Sequence, residues 1–238
     1  MAFDFQEGEV LLIDKPMGWT SFDVVNSVRY FIRKVYNLKK IKVGHAGTLD
    51  PMATGLLILC TGKMTKQIDR FQGMDKVYVG QMHLGATTPS YDKETQPDKY
   101  FDIGNLTREK LMEAASRFTG RIEQVPPLYS AIKIKGKRAY NFARKNEEVT
   151  LKPRQVTIYQ FKILNYEPPL AEFYVKCSKG TYIRSLVRDF GESLQNGAYL
   201  TALKRTQIGD FALSDARSPD AFKQAVLQET GYTFDTKK

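Results

Sequence analysis

Residues 44 to 57, Gly-His-Ala-Gly-Thr-Leu-Asp-Pro-Met-Ala-Thr-Gly-Leu-Leu, constrain this chain more than any other stretch. Gly44, Gly47 and Gly55 flank one carboxylate, Asp50, which is followed by Pro51 and then by the apolar run Leu56 to Leu59. Glycine permits backbone angles closed to other residues and lets another chain or a ligand come close, so the stretch reads as a shaped loop entering a buried strand. Proline fixes its own φ and pushes the residue before it into extended geometry, which keeps Asp50 out of helix and on the rim of the loop. By itself, an Asp-Pro pair in a loop usually makes only a turn.

Periodicity supplies the elements around that loop. Val10-Leu11-Leu12-Ile13 is short enough for a buried strand and stops at Lys15-Pro16-Met17-Gly18-Trp19. Thr20 and Asp23 stand at capping-box spacing ahead of Val25, Val28, Ile32 and Val35, predicting a helix from about Phe22 to Tyr36. Arg33, Lys34, Lys39, Lys40 and Lys42 crowd its far end, where they suit a dipole-complementing terminus and an RNA contact equally well. Leu56 to Cys60 predicts a strand, and Thr65 to Phe71 a short helix leading to a turn at Gly73. From Lys76 to Leu84 a strand pattern puts Tyr78, Gly80, Met82 and Leu84 on one face. An aromatic there is ordinarily core packing.

Residues 93 to 106 read as an exposed connection, after which Thr107 is placed to cap a helix lined by Leu111, Ala114, Ala115 and Phe118 and ended by Gly120. Strands return from about Val156 to Tyr166 and from Glu172 to Ser178. Thr181 is expected to cap a helix buried through Ile183, Leu186, Val187, Phe190 and Leu194, and a final helix is expected around Asp220 to Leu227. Arg184 then falls in a first helical turn, where a cation opposes the dipole, so an acidic partner is expected to offset it.

Charge narrows the class of partner. Thirty-six basic against 26 acidic residues leave a net +10 on a 238-residue chain, which favours a polyanion such as nucleic acid. Cations interleave with aromatics from Gln124 through Lys133, Lys135, Lys137, Arg138 and Tyr140 to Arg144-Lys145, a composition suited to tracking phosphates and stacking unpaired bases, or to a solvated hairpin. Cys60 and Cys177 are too few for a disulfide framework and lack metal-site spacing, and with His45 and His83 they form no recognisable metal constellation. The start of the chain lacks a basic segment ahead of an apolar core, and no apolar run reaches membrane-spanning length, so neither secretion nor membrane insertion is expected.

The motifs resemble one family in order. Gly44 to Leu57 is similar to the catalytic loop of TruB-type tRNA pseudouridine synthases, which isomerise uridine 55 in the T loop of tRNA. Asp14 to Ser21 resembles that family's amino-terminal motif, Lys76 to Gly80 its second motif, Gly180 to Leu186 its arginine motif and Leu200 to Phe211 its last. The resemblance implies an α/β (α+β) pseudouridine synthase fold, with a mixed, largely antiparallel central sheet, flanking helices and a basic thumb-like insertion near 124–152. It implies one catalytic domain over 1–238, without the small carboxy-terminal RNA-binding domain of the PUA type that many members carry. Asp50 is then the catalytic nucleophile, Tyr78 the ring stacked on the target base and Arg184 the partner of Asp50. His45 would fill the gap left by an extracted nucleotide, Asp92 would bond the base or sugar, and Leu203 would wall the pocket. Tyr182, Lys133, Lys135, Lys137 and Arg138 would contact RNA. The chemistry needs no cofactor or metal, the partner is the tRNA T arm with no obligatory protein partner, and the setting is cytoplasmic. The rival readings are a basic RNA-binding or RNA-chaperone protein without catalysis, and a carboxylate enzyme acting on a small nucleoside.

Overall fold

A computed structural model of the chain describes residues 3–130, 133–134, 137–138 and 151–233. In chain order the elements begin with β1 (Val10–Lys15), α1 (Ser21–Val35), β2 (Val43–His45), β3 (Ala53–Thr61), a 3-10 helix at Gly62–Gln67 and α2 (Ile68–Gly73). They continue with β4 (Lys76–Leu84), β5 (Ala86–Thr87), β6 (Lys99–Tyr100), α3 (Arg108–Arg117), β7 (Gly120–Gln124), β8 (Lys133–Ile134) and β9 (Lys137–Arg138). The remainder is β10 (Arg154–Glu167), β11 (Leu170–Cys177), α4 (Ile183–Ser193), β12 (Ala198–Ile208), β13 (Phe211–Ala212), a 3-10 turn at Leu213–Asp215 and α5 (Pro219–Thr230). The chain divides into two compact units, Met1–Lys76 with Lys204–Lys238, and Val77–Leu203.

In the first unit the strand order is β1-β3-β12, with β2 also paired to β3 and β13 to β12. β1 runs antiparallel to β3 from Val10 opposite Cys60 to Lys15 opposite Gly55. The apolar run of β3 is buried on both faces because it separates two cores. Leu57 and Leu59 join Val24, Val28, Ile32, Phe222 and Val226 of α1 and α5, whereas Leu56, Ile58 and Cys60 meet Ala46, Phe71 and Ile208. The start of α1 follows the predicted capping box: Thr20 Oγ1 accepts from Asp23 N at 3.0 Å, and Asp23 Oδ2 accepts from Thr20 N at 2.8 Å. Both cysteines are buried free thiols.

The second unit is built on the order β4-β11-β10-β7. β10 pairs antiparallel with β11 on one side and with β7 on the other. Phe161 of β10 packs against Phe173 of β11, Phe190 of α4 and Phe118 beyond α3, at centroid distances of 5.8, 5.3 and 6.3 Å. These registers are antiparallel, and isolated bridges at Ile13–Arg217 and Asp92–Leu200 are parallel, in keeping with the mixed, largely antiparallel expectation. β4 occupies the expected span, with Tyr78, Gly80, Met82 and Leu84 buried and Val79 exposed.

Three local expectations are corrected. Thr181 does not cap α4: its hydroxyl donates to Ser178 O at 3.0 Å, and the N-cap is Tyr182. Gly120 ends no helix but opens the edge strand β7 at φ +110°, and Phe118 is the C-cap of α3. The connection 93–106 contains β6, paired to β5 through Ala86–Tyr100 and Thr87–Lys99. Among the described residues no helix is long and apolar enough to cross a membrane.

Candidate active site

The loop carrying Asp50 is pinned through its backbone almost residue by residue, all within the first unit. The buried Arg205 of β12 donates to Gly47 O at 3.1 Å, Thr48 O at 3.5 Å and Leu56 O at 2.8 Å. Ser21, the first residue of α1, takes a bond from Leu49 N at 2.8 Å and returns one to Leu49 O at 3.2 Å. Asp50 O accepts from Ala53 N at 3.0 Å, closing the turn over Pro51 and Met52, and Pro51 O accepts from Gly18 N at 2.9 Å. Lys15, fully buried at the end of β1, directs its ammonium at Trp19 O (2.6 Å), Pro16 O (2.9 Å) and Pro51 O (3.4 Å). Asp50 itself is half-buried, held at the rim by a loop that has little freedom left to move.

Gly55 explains how the loop meets its strand. At φ +103°, a Cβ there would lie 2.3 Å from Arg205 O and 2.8 Å from Arg205 N, so glycine lets β3 approach the backbone that carries the pinning guanidinium. The electrostatics are those of two buried cations beside one carboxylate. Burial lowers the Lys15 ammonium to about 8, the Asp50 carboxylate opposing that shift and the Arg205 guanidinium adding to it. His45, at the end of β2, is also lowered, by burial first and then by Arg205, which makes it a neutral imidazole at pH 7.

In the second unit Arg184 has the acidic neighbour that its first-turn position calls for. Its Nε lies 3.5 Å from Asp92 Oδ2, and its other nitrogens donate to Ser90 O at 3.1 Å and Tyr129 O at 2.8 Å. Both side chains are buried, at 3% and 5% exposure, where such a pair is weakly screened. Asp92 Oδ1 accepts from Ser90 Oγ at 2.6 Å and Glu94 N at 2.9 Å, so the carboxylate is held in turn. The entry to α4 is fixed by Gln124, whose amide clasps the Tyr182 backbone, accepting from N at 2.8 Å and donating to O at 3.0 Å. The Arg154 guanidinium covers one face of the Tyr182 ring at 4.3 Å and donates to Gly180 O. Tyr78 is buried on β4 and Leu203 on β12, at 8% and 9% exposure.

Comparison with known proteins decides the family. Residues 33–183 match the model of the TruB family pseudouridylate synthase (N terminal domain). The chain belongs to the TruB family. It is 52% identical over 226 residues to the tRNA pseudouridine synthase B of Phocaeicola vulgatus, covering 95% of this chain and 96% of that one. With the protein of the same name from Bacteroides thetaiotaomicron it shares 53% over 225 residues, covering 93% and 94%. Among solved structures, a Cbf5-Nop10-Gar1 complex superposes with a TM-score of 0.69 at 29% identity, covering 96% of this chain and 58% of that one. An H/ACA RNP bound to a substrate RNA containing 2'-deoxyuridine gives 0.68 at 27%, covering 96% and 57%.

For a TruB-family chain, the structure distributes the expected site residues in a definite way. Asp50 and His45 belong to the first unit, and Tyr78, Asp92, Tyr182, Arg184 and Leu203 to the second. Of the basic insertion, Lys133 pairs with Arg138 and Ile134 with Lys137 in the β8–β9 ladder, while Lys135 lies outside the described residues. Sequence reasoning missed Lys15, Ser21, Gln124 and Arg205 as parts of the site. A signal for two of them was present. Lys15 continues the alternation that buries Leu11 and Ile13, and Arg205 stands two residues after the buried Leu203 and three before the buried Ile208.

Proposed function

We propose that this chain converts a uridine of tRNA to pseudouridine, at position 55 of the T loop, with Asp50 as the nucleophile. The observation that carries the reading is the rigidly pinned loop around Asp50, in a chain about half identical to proteins named tRNA pseudouridine synthase B. The reaction breaks the bond between N1 and the sugar C1′, turns the ring and rejoins it through C5. The proton lost from C5 is balanced by one gained at N1, so no redox partner or cofactor enters. The demands are a charged oxygen beside the sugar and ring, a dry setting, and a base out of its stack.

Asp50 meets the first demand as a carboxylate, since pinned geometry makes an attack productive. Arg184 serves as its counter-charge, and Asp92, 3.5 Å from that guanidinium, also bonds the base or sugar. Tyr78 covers the plane of the extracted uracil, Leu203 walls the pocket and neutral His45 fills the gap in the stack. Extraction costs a few kcal/mol, offset by stacking, by phosphate contacts from Lys133, Lys135, Lys137 and Arg138, and by a contact from Tyr182. The chain acts on the T arm, in the cytoplasm where tRNA is matured. The test is incubation with unmodified tRNA transcript and mapping of the product: pseudouridine at position 55 supports the reading, and modification elsewhere or none refutes it.

A further inference from the structure

Arg205 stands apart from the residues that would meet RNA. It is buried at 1% exposure, and its three acceptors are main-chain carbonyls, two before Asp50 in sequence and one after it. Lys15 holds Pro51 O and Ser21 holds Leu49, and the pairing of β2 with β3, extended by Ala46 N donating to Ile58 O at 2.9 Å, closes the base of the loop; closer to Asp50 in sequence, the planar fork of Arg205 adds a side-chain tie that joins Gly47 and Thr48 to Leu56. A guanidinium presents five donors in a fixed plane spread over three nitrogens, whereas an ammonium gathers its three donors on one atom at the end of a flexible stem. Backbone carbonyls carry no side-chain chemistry of their own, so this cation acts through geometry.

We infer that Arg205 is a positioning residue for pseudouridine formation, setting the aim of Asp50 by tying the two ends of its loop together while touching no RNA. The inference rests on the activity proposed above. A reacting group displaced by about 1 Å loses on the order of 10²-fold in rate. Because the side chain is buried and its donors are engaged by the loop, tRNA affinity should not follow that loss.

The experiment uses the full chain with Arg205→Lys, which keeps the charge, and Arg205→Gln, which is shorter and uncharged but keeps one donor. Thermal melting, the tRNA Kd and the single-turnover rate at saturating tRNA are measured for both beside wild type. The expected result is a cooperative melt and a Kd within about threefold of wild type for Arg205→Lys, with a rate lower by about 10²-fold that excess tRNA does not restore. A folded Arg205→Lys with a wild-type rate overturns the inference, because charge alone would then suffice. So does a loss confined to Kd. Loss of both fold and tRNA binding in the two variants overturns it in favour of a purely architectural arginine. Wild type keeps the two claims distinct: its failure to make pseudouridine would refute the activity itself, whatever the variants do.

Discussion

Replacing Gly55 by Ala tests the close approach on which the loop is built. The new Cβ would lie 2.3 Å from Arg205 O and 2.8 Å from Arg205 N, and both are backbone atoms of a strand that cannot turn aside. Overpacking of this kind costs about 1–3 kcal/mol. The φ of +103° adds conformational strain of about 1–3 kcal/mol for a residue with a side chain. The expected loss is therefore roughly 2–6 kcal/mol, a large part of the stability of an ordinary domain. Gly18 provides the control, since it sits at φ +82° with nothing within 4 Å of its Cβ position, so Gly18→Ala exposes the conformational part alone. Urea unfolding read as midpoint and m-value would measure both, with m unchanged if only the native state is affected. Gly55→Ala should lose clearly more than Gly18→Ala. Equal losses, or a loss below about 1 kcal/mol for Gly55→Ala, would refute the close approach of β3 to Arg205.

Two further outcomes follow from the same geometry. Because burial brings Lys15 to about 8 from the ordinary 10.5, the unfolded chain binds this proton more tightly between those values, and the group favours folding progressively as pH rises across that window. The neutral amine, however, loses its charge-assisted hold on the Pro51 carbonyl, so the single-turnover rate should fall above about pH 8, while Lys15→Met is slower throughout and lacks that limb. A rate flat from pH 7 to 10 in wild type would contradict this role. Replacing Lys133, Lys135 and Lys137 by Ala should weaken tRNA binding and make the salt dependence of log K shallower by roughly 2 to 3, at about 0.7–0.9 for each phosphate that the variant no longer neutralises. An unchanged slope would remove the insertion from the RNA interface.

What the sequence made legible was local or periodic. Thr20 and Asp23 announce the start of α1 because both partners lie within one turn, and the alternation of β4 announces its buried face because period two needs no knowledge of the neighbours. The pinning cations left only a faint signal, their place in a burial alternation, for the opposite reason. Lysine and arginine are ordinarily surface residues, and a burial pattern that includes them gains credence only when a partner is visible. Here the partners are carbonyls, 149 to 158 residues away for Arg205, which leave no trace in composition. Gln124 clasps a backbone 58 residues on, so nothing near it predicts the contact. An acidic neighbour for Arg184 was legible from its place in a first helical turn, and Asp92, 92 residues earlier in the chain, is one that local sequence does not reveal. β7 was missed because Gly120-Arg121-Ile122-Glu123-Gln124 is a short, charged edge strand whose apolar signal is one isoleucine.

The central claim is that Asp50 performs chemistry on a bound tRNA. Asp50→Asn keeps the size and the backbone bonds of the loop while removing the charge, so tRNA affinity and pseudouridine formation measured on this one variant test it most directly. The expected results are wild-type product mapped in the T loop, no product above background from Asp50→Asn, and a tRNA Kd within about threefold of wild type, as uniform binding is retained. Product from Asp50→Asn at the wild-type rate would contradict the claim, and so would a wild type that binds tRNA and changes nothing.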